Sequence, residues 1–152
     1  MKNQCPITVL IADDHYLARE GIRSILKRAR DIKIVGEAEE GNEIKQKVAE
    51  LRPQVLLLDL QMPNLSPAPL ERWVRINYPQ TTTLVLTGHD RRAYLSRMFL
   101  TEMMDAGVAG YLEKNVRGEQ LIASIRRAAR GEMLFSPEQI EKARRWRDEI
   151  AW

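Results

Sequence analysis

Short apolar runs alternate along this chain with longer stretches whose apolar residues recur at helical spacing. That alternation limits the fold more than any other feature. The runs cover residues 7–12, 32–35, 55–58, 84–86 and 110–112. They are apolar nearly throughout, so each reads as a strand covered on both faces. Residues 16–30, 42–51, 70–78, 91–105 and 116–130 read as helices. Ile22, Ile25, Leu26 and Ala29 share one helical face, and Ile44, Val48 and Leu51 share another. Pro53, Pro79, Gly107 and Gly131 stand where these helices would stop. The repeats predict an α/β fold with a five-stranded parallel sheet and helices on both faces. One extra C-terminal helix is expected from Pro137 onward.

In such sheets the reactive groups lie beyond the carboxyl ends of the strands. The stretch VLLLDLQMP, residues 55–63, poses a question there: why does a buried strand end in Asp59 and break at Pro63? The first run stops at Asp13 and Asp14, the fourth at Thr87, and the fifth just before Lys114. Each residue has an ordinary reading alone. Asp14 could cap a helix, Asp59 could start a turn, Thr87 suits a strand, and Lys114 could be a solvated charge. Together they favour chemistry. Three carboxylates in one pocket repel one another and need a cation. Mg²⁺ takes hard oxygen ligands, usually one or two carboxylates plus phosphate. A carboxylate beside it can attack a phosphoryl group and become an aspartyl phosphate. A lysine and a hydroxyl would then serve the remaining phosphoryl oxygens. Asp59 ends the central strand as the expected acceptor.

Composition narrows the class. The 152 residues suffice for one domain with a sizeable core. A net charge of +3 is too mild to argue for nucleic acid. Cys5 is the single cysteine, so no internal disulfide forms and a reducing, cytoplasmic setting is expected. The early apolar run is too short for a membrane span.

IADDH, LLLDLQMP, LVLTG and GYLEK, in this order and spacing, resemble the receiver domain of bacterial two-component response regulators. ADDH, VGEAEEG and the GYLEK ending are most similar to the NarL/FixJ class, whose receivers usually precede a LuxR-type helix-turn-helix. The resemblance implies a flavodoxin-like sheet of order 2-1-3-4-5 and a sensor histidine kinase as partner. It implies Asp59 as phosphoacceptor and Asp13, Asp14, Asp59 and the Gln61 carbonyl as Mg²⁺ ligands. It further implies that Thr87 and Lys114 bind the phosphoryl group and that Tyr111 is the aromatic switch. Gln61 and His89 occupy the positions that tune phosphate loss. The output would pass through the face of the fourth helix, fifth strand and fifth helix.

Several features depart from that pattern. The loop after Pro63 lacks the common glycine, Lys114 is followed by Asn115 rather than proline, and the segment from His89 to Gly107 is longer than the family's by about one helical turn. Its Met98, Phe99, Leu100, Met103 and Met104 read first as core filling, and second as a contact surface or dimer face. Residues 1–131 are expected to form the receiver and 132–152 a linker or interaction helix. A helix-turn-helix will not fit after Lys114, so DNA would be reached only through an output domain missing from this chain. Ser136, Pro137 and Gln139 predict a capped helix, with Ile140, Ala143, Trp146 and Ile150 as an apolar stripe. Its acids offset its bases, which disfavours DNA contact.

Two other functions compete. A Mg²⁺-dependent aspartyl phosphohydrolase of the haloacid-dehalogenase type would want an acid where Gln61 stands. A receiver-like interaction module that is never phosphorylated would be expected to have lost an acid or the lysine. A flavin or dinucleotide binder would want a glycine-rich loop after the first strand, where Asp13-Asp14-His15 stands instead. The expected protein is thus a signalling switch that catalyses only its own phosphorylation and dephosphorylation.

Overall fold

The computed structural model describes residues 5–88 and 93–151, with backbone only for 93–96. Its five strands are β1 (Ile7–Ala12), β2 (Ile32–Ala38), β3 (Val55–Leu58), β4 (Thr82–Thr87) and β5 (Gly110–Glu113). They form one parallel sheet in the order β2-β1-β3-β4-β5. The helices are α1 (Tyr16–Leu26), α2 (Gly41–Leu51), α3 (Pro67–Asn77), α4 (Ala93–Ala106), α5 (Gly118–Ala129) and α6 (Pro137–Ile150). This is the expected flavodoxin-like arrangement.

Strand periodicity divides the interior in two. Val9, Ile11, Val55, Leu57, Leu84 and Leu86 point to one face and pack against α1 and α5 through Ile22, Leu26, Leu121 and Ile125. Leu10, Ala12, Leu56, Leu58 and Val85 point to the other and meet Ile44, Val48, Leu70, Val74 and Met103. Both faces are covered, which is why the strands read as unbroken apolar runs.

Some boundaries shift. α1 ends at Leu26 rather than near Arg30, because Arg28 and Ala29 close tighter i→i−3 turns onto Ile25 and Leu26. Ala29 still reaches the core. β2 runs past Gly36 to Ala38, where Glu37 and Ala38 pair with Ile11 and Ala12. β4 starts at Thr82, paired with Val55, and Thr81 Oγ1 donates 2.7 Å to the Pro53 carbonyl. Gly107, at φ 112°, closes α4 as expected, and its amide donates to the Met103 carbonyl.

The C-terminal helix α6 folds back onto α4. Ser136 and Gln139 form the predicted capping box. Ala143 and Trp146 are buried, and the Arg97 guanidinium lies 5.9 Å from the Trp146 ring centroid. Ion pairs Arg97–Glu149 (3.0 Å) and Arg147–Asp105 (2.6 Å) flank that contact. Gln139 Nε2 donates 2.9 Å to the Tyr111 carbonyl and ties α6 to β5. The stripe is narrower than its sequence suggests, since Ile140 and Ile150 stay exposed. On α4, Leu100 and Met103 are buried, in keeping with core filling.

Candidate functional site

The carboxyl ends of β1, β3 and β5 converge on one acidic pocket. Asp13 and Asp59 follow β1 and β3 directly, and both are almost fully buried. Main-chain bonds fix them: the Asp13 amide donates to Ala38 and the Asp59 amide to Ala12. Lys114 follows β5, with its amide on the Thr87 carbonyl at 2.8 Å. That bond aims the ammonium back across the rim. Lys114 Nζ lies 2.8 Å from Asp13 Oδ2 and 3.3 Å from Asp59 Oδ2.

The remaining oxygens are placed by local turns. Asp13 Oδ1 accepts from the His15 amide at 2.9 Å, and Asp59 Oδ1 accepts from the Gln61 amide at 3.2 Å. His15, not Asp14, sits at the N-cap of α1, and its side chain makes no capping bond. Asp14 is therefore free for the pocket. His15 Nδ1 stands 3.0 Å from Asp14 Oδ1, yet without hydrogen-bond alignment, and that buried oxygen has no hydrogen-bond partner. Ligand atoms of Asp13, Asp14, His15 and Asp59 all lie within 4.8 Å of one another.

The electrostatics match that crowding. Burial pushes the Asp59 carboxyl above its ordinary value, and Asp13 adds to the rise. The Lys114 ammonium and the Gln61 amide oppose it. For Lys114 the largest single influence, burial, disfavours the charge, but Asp13 and Asp59 together outweigh it and raise its pKa. A cation suits this pocket. Three carboxylates face a single ammonium, and an orphaned carboxylate oxygen points to a missing electropositive partner.

Thr87 is buried at the end of β4. Tyr111 pairs in register with Val85, two residues earlier in β4, so Thr87 and Tyr111 lie on the same face of the sheet. Tyr111 and Phe135, both partly buried, pack against the α2–α4 side of the core. His89 lies outside the described residues.

Residues 9–126 match the response regulator receiver domain. The chain belongs to the response regulator receiver family. The receiver is 37% identical over 133 residues to the Bacillus subtilis transcriptional regulatory protein YxjL, covering 88% of this chain and 59% of that protein. It is 34% identical over 140 residues to the Staphylococcus aureus response regulator VraR, covering 91% and 64%. It thus spans about three-fifths of the length of these relatives. Among solved structures, the receiver domain of NarL from Mycobacterium tuberculosis superposes with a TM-score of 0.76 at 28% identity, over 85% of this chain and all of that one. Such relatives are signalling proteins rather than classical enzymes. No helix among the described residues is long and apolar enough to cross a membrane.

Sequence reasoning overlooked one residue of the receiver site. Arg19 is almost fully buried and donates 2.7 Å to the Asp13 carbonyl. Its signal was present: Arg19, Ile22 and Leu26 share the i, i+3, i+7 stripe that α1 buries. A guanidinium on such a stripe must be fully paired.

Proposed function

We propose that this receiver is a phosphorylation-dependent switch in which Asp59 accepts a phosphoryl group from a histidine kinase with Mg²⁺ as cofactor. The observation that most supports it is the Asp14 oxygen without a hydrogen-bond donor beside two buried carboxylates, both of them within reach of an ammonium. Asp13, Asp14 and Asp59, with the Gln61 carbonyl, would hold the ion. The ion supplies charge neutralisation for the carboxylates and for the incoming phosphoryl oxygens.

In the transfer step an Asp59 carboxylate oxygen forms the new bond to phosphorus while the phosphorus–nitrogen bond to the donor imidazole breaks. The electron pair leaves with that imidazole, and Asp59 becomes an acyl phosphate. Lys114 turns from Asp13 and Asp59 to a phosphoryl oxygen, and the Thr87 hydroxyl donates to another. Drawing Thr87 inward changes the sheet face it shares with Tyr111, and the face of α4, β5 and α5 follows. Gln61 and His89 would set how fast water removes the phosphate.

The partners we propose are a sensor kinase, a second copy of the chain, and DNA only through an output domain outside residues 1–152. Residues 132–152 serve as the linking and contact helix. A cytoplasmic setting accords with the lone free cysteine.

Intact mass after incubation with acetyl phosphate and Mg²⁺ tests this reading. One phosphoryl adduct on the parent and none on Asp59→Asn is expected. A folded parent that binds Mg²⁺ and gains no adduct would instead mark an interaction module that works without phosphate.

A further inference from the structure

We infer that Arg19 is a positioning residue that holds the Asp13–Asp14 arm of the pocket in its metal-binding geometry, an inference that rests on the Mg²⁺ reading above. Three acceptors surround its guanidinium. Nη1 donates 2.7 Å to the Asp13 carbonyl, Nε donates 2.8 Å to Glu37 Oε1, and Nη2 donates 3.0 Å to Glu39 Oε1. Its side chain is 6% exposed, and the Tyr16 ring lies 5.7 Å from the guanidinium carbon. Its acceptors lie at the end of β1, within β2 and just beyond β2.

The consequence falls on Asp13. Its amide is bound to the Ala38 carbonyl at 3.0 Å, and its own carbonyl is bound to Arg19. Both ends of the residue are thus tied toward the end of β2. Its Oδ1 is taken by the His15 amide, which leaves Oδ2 facing Lys114 and Asp59. Asp14 is the next residue, so the direction of its orphaned oxygen depends on the same peptide frame. Without the guanidinium the buried Asp13 carbonyl has lost its charged donor, and the turn through Asp14 and His15 is left to the His15 amide bond to Asp13 Oδ1 and the Arg19 amide bond to the His15 carbonyl.

Charge alone does not account for this role. Glu37 and Glu39 offset the guanidinium, so its field at Asp59 is small. The fork geometry is what matters, because a lysine ammonium cannot span three separated acceptors in the same way. Arg23 supplies the control. It binds Glu37 and lies 5.4 Å from the same Tyr16 ring, but no bond joins it to Asp13.

The test is a calorimetric Mg²⁺ titration without phosphodonor on the full chain, its Arg19→Met and Arg19→Lys variants, and Arg23→Met. Acetyl phosphate labelling is then measured against Mg²⁺ concentration. We expect the Mg²⁺ dissociation constant to rise about tenfold in Arg19→Met, the scale known for outer-sphere support of metal ligands. Arg19→Lys should recover part of that loss, and Arg23→Met should leave the constant unchanged. At saturating Mg²⁺ the maximal labelling rate should stay within about twofold of the parent, because Arg19 acts before the transfer step. Should Arg19→Met lose its helical circular dichroism, Arg19→Lys decides alone. A parent that binds Mg²⁺ while folded Arg19 variants keep its affinity overturns the inference alone. Equal weakening in Arg23→Met also overturns it, since the cause would then be the ion network. A parent that takes up no Mg²⁺ overturns the metal reading and the inference with it.

Discussion

Lys114 stands closer to Asp13, at 2.8 Å, than to Asp59, at 3.3 Å. The ammonium therefore rests on a proposed metal ligand rather than mainly on the proposed acceptor. Asp13 and Asp59 would hold a cation in competition with Lys114, which would leave the ammonium available for a phosphoryl oxygen. Without a cation, Lys114 is the main brake on the upward drift of the Asp59 pKa.

Lys114→Ala should raise the Asp59 pKa further while leaving the fold intact. A carboxyl-detected NMR titration in metal-free buffer measures it, and an unmoved Asp59 midpoint would rule out the coupling. The ion pair also contributes to stability with a definite sign. Because the Lys114 pKa is raised above 10.5, that contribution is fully present below 10.5 and is lost as pH climbs through the folded value. Parent and variant should converge in strong base.

Asp59→Asn should stabilise the metal-free protein at neutral pH by about 1 kcal/mol, since it removes a buried, incompletely compensated charge. Burial makes the folded state bind the Asp59 proton more tightly than the unfolded chain does. The ionised form therefore costs stability above the folded pKa, and the advantage of the amide shrinks as pH falls through that value toward 3.8. Urea melts at several pH values show this. Added Mg²⁺ should shrink the advantage, because the parent keeps the third carboxylate and gains more by mass action.

Gly41→Ala should destabilise the fold by about 3 kcal/mol, at the upper end for overpacking. A Cβ there would stand 1.9 Å from the Asn64 carbonyl oxygen and 2.8 Å from the Leu65 Cα, both of them backbone atoms. The Gly41 amide also donates 2.9 Å to the Pro63 carbonyl, so the clash pushes on the loop that follows Asp59. Denaturant melts of the variant settle this; parent-like stability would mean the loop yields freely.

Trp146→Ala should release α6 without unfolding the sheet. Its indole is 6% exposed against α4, and truncation should cost about 2–3 kcal/mol of helix docking, below the range for a fully enclosed core tryptophan. Hydrogen exchange should speed up across residues 137–150 while β1, β3 and β4 keep their protection. Equal acceleration in both regions would make α6 part of the cooperative core.

The strands and pocket members were legible because each depends on local pattern, whereas the sheet order came only from the family resemblance. Doubly covered strands are apolar throughout, and Asp13, Asp59 and Lys114 stand where those runs stop. Arg19 was not legible as a site residue, because its partners at Asp13, Glu37 and Glu39 meet only after β1 and β2 pair. The strand ends at Ala38 and Thr82 were missed for a similar reason. They are set by neighbours across the sheet and not by their own hydrophobicity. The docking of α6 could be suspected from Trp146, but Arg97 and Asp105 as its counterparts follow only from tertiary contact.

The hydrogen bond from Gln139 to the Tyr111 carbonyl makes the tail a thermodynamically linked element. Any ligand that shifts β5 and changes that bond alters the free energy of seating α6. By reciprocity, seating α6 alters the affinity for that ligand by the same factor. Because α6 is tethered to α5 by only a short connection, it competes for the α4 surface at a high effective concentration. An outside protein seeking that surface must displace a resident helix, so its measured affinity will carry the cost of undocking.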